Sequence, residues 1–168
     1  MCLIVDANCL SAVFDIDAAN HSDFAPVFEW IFNGKGKVVY GGTRYLGELN
    51  KYLKIYSELR KAGKAIYVDC DIVDAEETTI SKKLKHGDFD DQHLVALLKL
   101  SGCKIICSLD RRAYPFFKNK LFFPRSSEKP KIYSSHINSD LLVEKNIADI
   151  CKPCFDTTKA QKKKLGII

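Results

Sequence analysis

Acidic residues lie at four positions of the chain from which they could act together on one ligand. Asp6 directly follows the apolar segment CLIV, and Asp110 follows IICS after one residue. Ligands of open parallel sheets bind beyond the carboxyl ends of the strands, so both side chains are expected in one crevice. Glu48 borders the buried stripe of a predicted helix, and Asp91 lies in the first turn of another. Such a cluster would repel itself unless a hard cation such as Mg²⁺ or Mn²⁺ neutralised it.

A divalent cation held by carboxylates favours one class of chemistry, the hydrolysis of phosphodiester bonds. The ion activates a water molecule and stabilises charge on the phosphorus oxygens. Each acid also has a purely structural explanation. Asp6 and Asp110 could end strands or cap the helices that follow. Glu48 could pair with Arg44 or Lys51 at the surface.

The segment GDFDDQHLVALLKL (87–100) places three acids ahead of an apolar helical pattern. Asp88 is a natural N-cap, and Asp90 and Asp91 would then occupy first-turn positions that suit the helix dipole. Capping accounts for Asp88 but does not require the third acid. His93 is expected to be buried or to support a ligand rather than to act as a general base.

Short apolar segments alternate with amphipathic segments along the chain. This order is typical of an α/β protein whose mostly parallel sheet is covered on both faces. Strands are predicted at 2–6, 37–40, 65–69, 104–108 and 131–135. Helices are predicted at 8–14, 22–32, 43–62, 74–84, 90–100, 111–117 and 140–150. One domain is expected over residues 1–150, followed by a basic C-terminal tail over 151–168, of which the last segment, TTKAQKKKLGII (157–168), is expected to be mobile.

The composition is that of a globular protein, with 168 residues of which 46% are apolar and 28% charged. The sequence has no run of about 18 apolar residues, so a membrane span is not expected. The apolar start MCLIVD is too short for a signal peptide and lacks its basic beginning. We therefore predict a cytoplasmic location.

Seven cysteines at irregular spacing do not indicate a secreted disulfide framework. Cys2, Cys9, Cys103 and Cys107 lie in or beside apolar segments, where buried free thiols are expected. Residues 151–154 form a lone C-x-x-C motif. A zinc site needs about four ligands, and no second pair occurs at a suitable spacing, so incidental cysteines are the favoured interpretation.

Positive charge is concentrated in the last third of the chain. Residues 111–168 hold 13 Lys and Arg against 5 Asp and Glu, whereas the whole chain holds 26 and 21. This asymmetry suits a polyanionic partner such as nucleic acid, and it also suits a merely solvated surface. Aromatic residues with interleaved lysines could stack on bases or form an edge of the core. They are Phe116, Phe117, Phe122 and Phe123.

Four short motifs occur in the order that characterises a known family. They are IVDAN with Asp6 and Asn8, LGELNK with Glu48, DDQHLVALLKLSG with Asp91, and ICSLD with Ser108 and Asp110. On these motifs the chain, from Met1 to about Tyr133, resembles the PIN-domain nucleases, the fold of VapC-type ribonuclease toxins. Each motif is short, and the specificity comes from the order of all four on the expected elements.

The resemblance implies a three-layer α/β/α fold and a metal-dependent endoribonuclease that uses Mg²⁺ or Mn²⁺. It implies cleavage of RNA that leaves a 5′-phosphate and a 3′-hydroxyl. The residues that it assigns to the metal and to catalysis are Asp6, Glu48, Asp91 and Asp110, with supporting roles for Asn8 and Ser108. On this interpretation Asp88 caps the helix, and Asp90 is either a spare ligand or a dipole partner.

One departure from the family pattern follows its last motif. Arg111 and Arg112 stand where many relatives carry another acid. The pattern is therefore compatible with a site for one metal ion as well as with a site for two. The same arginines could bind the phosphates of an RNA substrate. The resemblance also implies a homodimer, an antitoxin or other restraining protein, and a role as a toxin or a phage-defence effector.

Two other functions are compatible with parts of the pattern. One is a catalytically inactive PIN-like module that binds RNA or a protein, although such a module has no need to retain all four acids. The other is a phosphatase of the haloacid dehalogenase class, which also begins with an acid after the first strand. That class requires Asp-x-Asp, whereas this chain has Asp6 and Asn8, so we disfavour it.

Overall fold

A five-stranded, entirely parallel sheet forms the centre of the computed structural model, which describes residues 2–166. The strands are β1 (Cys2–Val5), β2 (Lys37–Gly41), β3 (Ala65–Val68), β4 (Ile105–Cys107) and β5 (Lys131–Tyr133). They are ordered β3-β2-β1-β4-β5, and all neighbouring pairs are parallel. This arrangement confirms the predicted three-layer α/β class with a parallel sheet.

The sheet is built from strands that are apolar on both faces. All four residues of β1 are fully buried, as expected for a strand covered on both sides. The chain runs from β1 outward to β3 and then returns to place β4 on the other side of β1. The strand order therefore reverses between β1 and β4, which is where open α/β sheets bind their ligands.

Seven α-helices connect the described strands, and an eighth follows β5. They are α1 (Leu10–Phe14), α2 (His21–Phe32), α3 (Thr43–Leu49), α4 (Leu53–Lys61), α5 (Cys70–Lys83), α6 (Gln92–Ser101), α7 (Tyr114–Phe117) and α8 (Lys159–Lys164). Short 3₁₀ turns occupy Ala7–Cys9, Asn50–Tyr52, His136–Leu141, Glu144–Asn146 and Asp149–Cys151. Within residues 2–166, no helix has the length and apolarity that crossing a membrane requires.

Two predicted helices start elsewhere, because α5 begins at Cys70 rather than 74 and α7 at Tyr114 rather than 111. Two others differ in kind. The helix predicted over 43–62 breaks at Asn50, whose φ of 44° is a left-handed conformation that asparagine tolerates better than most residues. The helix predicted over 140–150 is replaced by short 3₁₀ turns. There the buried Asn146 side chain donates a hydrogen bond to the Leu141 carbonyl, and such local bonds compete with helix formation.

The segment after residue 150 is structured up to residue 166, in contrast to the mobile last segment that we expected. Cys151 forms a disulfide with Cys2, so the expectation of a free thiol at Cys2 is also wrong. Thr157 is buried, and its hydroxyl donates to the Gly34 carbonyl at 3.2 Å. A capping box begins α8. The Gln161 side-chain amide also donates a hydrogen bond to the carbonyl of Ala62. Residues 167–168 of the predicted tail lie outside the described part.

Candidate functional site

Hydrogen bonds join the carboxyl ends of β1 and β4 at the point where the strand order reverses. Asp6 is 5% exposed, and its Oδ2 accepts hydrogen bonds from Ser108 Oγ at 2.7 Å and Asn8 Nδ2 at 2.8 Å. Asn8 Oδ1 accepts the backbone N–H of Leu109 at 3.0 Å. The two polar residues predicted as supports therefore fix the Asp6 carboxylate and hold the ends of both strands together.

Burial raises the pKa of the Asp6 carboxyl. Hydrogen bonds from Ser108 and Asn8 lower it again, but they do not fully compensate, and the charge of Glu48 adds to the rise. The ionised form of Asp6 therefore lacks part of the stabilisation that it has in water. A nearby cation would supply it.

Asp91 is the N-cap of α6, but its side chain does not cap the helix. Among the described residues, none provides a backbone N–H that bonds to this carboxylate as a cap. The prediction that Asp88 caps the helix is wrong, because α6 begins four residues later, at Gln92. Asp88 and Asp90 are exposed, while Phe89 between them is buried and stacks on Phe116 at 4.4 Å between ring centroids. The buried ring turns the loop so that the three acids do not form one cap.

The pKa of Asp91 is raised to about 6, first by burial and then by the charges of Asp6, Asp90 and Asp110. The charge of His93 opposes this rise without cancelling it. Asp91 is half-buried, so nearby acids act on it through a medium less polar than bulk water. The carboxylate thus lies in a region of uncompensated negative charge.

Glu48 is positioned by α3, which is anchored to the sheet by Tyr45. The Tyr45 hydroxyl is buried and donates to the carbonyl of Val5, the last residue of β1. One oxygen of Glu48 lies 3.1 Å from His93 Nε2, and the other lies 3.5 Å from Arg44 Nε. Burial raises the pKa of Glu48, but the contacts with His93 and Arg44 outweigh it and bring the pKa below its ordinary value.

His93 is fully buried, as its place beside an acidic cluster suggested. Its Nε2 faces Glu48, and within the described part of the chain Nδ1 has no hydrogen-bond partner. The imidazole therefore holds one carboxylate in place and has no route to act as a base toward solvent. Nothing in the sequence indicated this pairing, because 45 residues separate the partners.

Asp110 forms a local ion pair with Arg112. The guanidinium contacts both carboxylate oxygens, at 3.0 and 3.2 Å, and the backbone N–H of Arg112 donates to Oδ1 at 2.9 Å. The side-chain hydrogen bond of Arg112 is the largest of the effects that lower the pKa of Asp110. Arg112 thus contacts a candidate metal ligand, and both Arg112 and Arg111 beside it are exposed.

The four predicted acids lie around the carboxyl edge of the sheet and influence one another electrostatically. The charge of Glu48 acts on Asp6, and the charges of Asp6 and Asp110 act on Asp91. Among residues 2–166, however, the only group of three potential ligand atoms within 4.8 Å of one another belongs to cysteines. No three of the four acids meet this criterion, so they form a loose group, which is called the carboxylate ring below. Mg²⁺ and Mn²⁺ suit such a ring, because they prefer oxygen ligands and Mg²⁺ usually keeps several waters between itself and the protein.

The phenylalanines that could have stacked on bases belong to the core. All four are buried, with at most 8% of the side chain exposed. They are Phe116, Phe117, Phe122 and Phe123. The interpretation of this segment as a base-stacking surface is therefore wrong, and the core-edge alternative is confirmed.

Comparison of the chain with protein-family models, with curated proteins and with solved structures finds no match. The function of the acidic ring is therefore inferred from the chemistry of its own residues and from their place at the reversal of strand order.

Proposed function

We propose that the protein is a metal-dependent endoribonuclease that hydrolyses RNA phosphodiester bonds at the ring formed by Asp6, Glu48, Asp91 and Asp110. The observation that carries the proposal is the state of Asp91. This half-buried carboxylate makes no cap, and burial together with neighbouring acids raises its pKa to about 6. A site that concentrates unneutralised carboxylates where ligands of parallel sheets bind is suited to a hard divalent cation.

The residues of the ring have distinct parts in the proposed chemistry. Ser108 and Asn8 orient Asp6, and His93 orients Glu48, so two carboxylates keep fixed directions without a ligand. Asp91 supplies the least compensated charge. Mg²⁺ or Mn²⁺ bound there would lower the pKa of a coordinated water and offset charge on the scissile phosphate.

RNA is the proposed substrate because positive charge follows the last acid of the ring. Arg111 is exposed next to Asp110, and the chain from that point onward is strongly basic. Phosphates are attracted to such a region over a long range. The resemblance to PIN-domain nucleases extends the proposal to a cytoplasmic homodimer restrained by an antitoxin or another protein, acting as a toxin or in phage defence.

A second candidate is a module that retains the acids but binds RNA or a protein without catalysis. One observation favours it. Arg112 contacts both oxygens of Asp110, and Arg44 lies against Glu48, so two of the four acids already have a cationic partner. If these ion pairs persist in the presence of metal, the ring would lack ligands for catalysis.

The proposal is tested by incubating the full chain with an end-labelled RNA mixture in Mn²⁺, in Mg²⁺ and in EDTA. Asp6→Asn removes one charge from the ring, and Asp17→Asn is a matched control at an exposed acid. We expect metal-dependent cleavage by the wild type and the control, and a loss of about 100-fold or more in Asp6→Asn. If the wild type binds RNA in a gel-shift assay but cuts nothing with either metal, the inactive module is the better description.

A further inference from the structure

Three cysteines from distant parts of the chain meet at the amino end of β1. Cys2 begins β1, Cys103 lies two residues before β4, and Cys151 ends the last 3₁₀ turn. All three side chains are at most 2% exposed, and their sulfur atoms lie within 4.8 Å of one another. Cys2 and Cys151 form the disulfide, while Cys103 keeps a free thiol whose sulfur is 3.6 Å from that of Cys2. A disulfide alone does not require a third buried sulfur.

The spacing of these sulfurs matches that of ligands around a thiophilic metal ion. A zinc–sulfur bond is about 2.3 Å long, so two sulfurs on a tetrahedral ion lie about 3.8 Å apart. The 3.6 Å between Cys2 and Cys103 is close to this value. Once the disulfide is reduced, a small separation of Cys2 and Cys151 would place three thiols around one ion.

A fourth sulfur lies three residues further along the chain. Cys154 is half-buried and free, and its Sγ lies 3.0 Å from the Cys151 carbonyl, to which it donates. Two cysteines in C-x-x-C spacing commonly contribute two ligands to one zinc ion. The sequence showed only this pair, and the fold brings Cys2 and Cys103 to Cys151. Cys154 Sγ lies outside the group of three sulfurs within 4.8 Å, so it would have to turn away from the Cys151 carbonyl to become the fourth ligand.

The surroundings of the cluster suit a metal with thiolate ligands. A surface groove of about 600 Å³ is lined by the chain neighbours of Cys103 and Cys151, although the cysteines themselves are buried behind it. Three lysines and one acid line this groove, so its net positive charge would favour thiolates behind it; they are Lys99, Lys104, Lys145 and Asp149.

We propose that the protein, when its disulfide is reduced, binds one thiophilic divalent cation of the zinc class through Cys2, Cys103, Cys151 and Cys154. Reduction consumes two small thiols: the sulfur–sulfur bond breaks, two protein thiols form, and the reductants join as an external disulfide. Binding of the cation then releases four protons as four thiolates coordinate it. Oxidation by a disulfide reverses the sequence and expels the ion.

This sulfur site is separate from the carboxylate ring. Cys2 and Asp6 stand at opposite ends of β1, and four residues of extended strand span roughly 13 Å. The cluster joins β1, the start of β4 and the C-terminal segment, so bound metal would stabilise the fold. The inference therefore does not depend on nuclease activity.

The test uses the full chain after reduction with a dithiol and anaerobic removal of the reductant. Cd²⁺ is titrated while the thiolate-to-metal charge-transfer absorption is recorded, and Zn²⁺ affinity is then measured against a chromophoric chelator. The variants are Cys103→Ser and Cys154→Ser, with Cys70→Ser as the control at a free cysteine outside the cluster. Far-UV circular dichroism establishes that each variant is folded.

We expect the reduced wild type and Cys70→Ser to bind one Cd²⁺ per chain with a charge-transfer band. The oxidised wild type should show no such band. Changes around a metal's ligands commonly weaken binding by 10–100-fold, so loss of a ligand itself should cost about 100-fold or more in Cys103→Ser and Cys154→Ser. The proposal is overturned if the reduced wild type shows no charge-transfer band, or if Cys103→Ser binds as tightly as wild type. Wild-type affinity in Cys154→Ser would overturn the four-sulfur set.

Discussion

Replacing Asp91 by asparagine is expected to stabilise the protein at neutral and alkaline pH. The substitution keeps the size of the side chain and removes its charge. Asp91 has a pKa of about 6 in the folded protein, against an ordinary value of 3.8, because of burial and nearby acids. The folded state therefore binds this proton more tightly than the unfolded state does. Stability contributed by the neutral form is lost as pH rises from about 4 through about 6.

The size of the effect follows from the shift. About two pKa units correspond to about 3 kcal/mol, and solvent screening of a half-exposed group reduces this to about 1–2 kcal/mol. For a domain of this length, that difference raises the melting temperature by about 3–6 °C. At pH 4 the folded wild type is almost fully protonated at Asp91 and the unfolded chain is about half protonated, so only about a fifth of the advantage of Asp91→Asn should remain.

The assay is thermal unfolding of the wild type, Asp91→Asn and the exposed control Asp17→Asn at pH 4, 6 and 8 in EDTA. A stabilisation of Asp91→Asn that grows with pH would show that its charge is uncompensated. Addition of Mn²⁺ at pH 8 should then stabilise the wild type more than the variant, because only the wild type keeps the full ring. The reasoning fails if Asp91→Asn is less stable than wild type at pH 8 in EDTA, or if its advantage is the same at pH 4.

Two further substitutions test other parts of the structure. Arg112→Ala frees Asp110 from its ion pair, and since exposed pairs contribute about 0.2–1 kcal/mol, Mn²⁺ affinity in calorimetry should rise about two- to five-fold. Arg111→Ala removes the same charge without that contact, so an equal rise in both variants would exclude a specific effect of the pair. Asn50→Gly relieves a left-handed backbone conformation and should stabilise the fold by about 0.5–1 kcal/mol in urea unfolding, whereas a loss of stability would show that the asparagine side chain is required.

The sheet could be predicted closely from the sequence because its strands are buried on both faces. A continuous apolar segment such as CLIV leaves few other places for its side chains, and each observed strand lies within two residues of its predicted bounds. The placement of Asp6 and Asp110 at one edge followed from this, since parallel strands end on the same side. Their supports at Asn8 and Ser108 followed from the same short motifs.

The rest depends on contacts between distant segments. The Glu48–His93 pair and the meeting of Cys2, Cys103 and Cys151 join residues that periodicity cannot relate. The cap of α6 was mispredicted for a related reason. Asp88 has the right residue type, but burial of Phe89 against another segment decides where the loop turns and where the helix begins. Local preference was overridden by packing in this loop.

The two ends of β1 differ in the kind of cation that they suit. The carboxyl end presents oxygen atoms in an open ring, whose acids tolerate one another through partial protonation or through pairing with arginine. The amino end presents sulfur atoms in a closed cluster with almost no solvent exposure. In the proposed function a hydrated Mg²⁺ would occupy the carboxyl end, which is open to the water that hydrolysis requires. A dehydrated zinc-class ion would occupy the amino end. Because Mg²⁺ does not bind thiolates, we expect Mg²⁺ to load the proposed carboxylate site without filling the sulfur site.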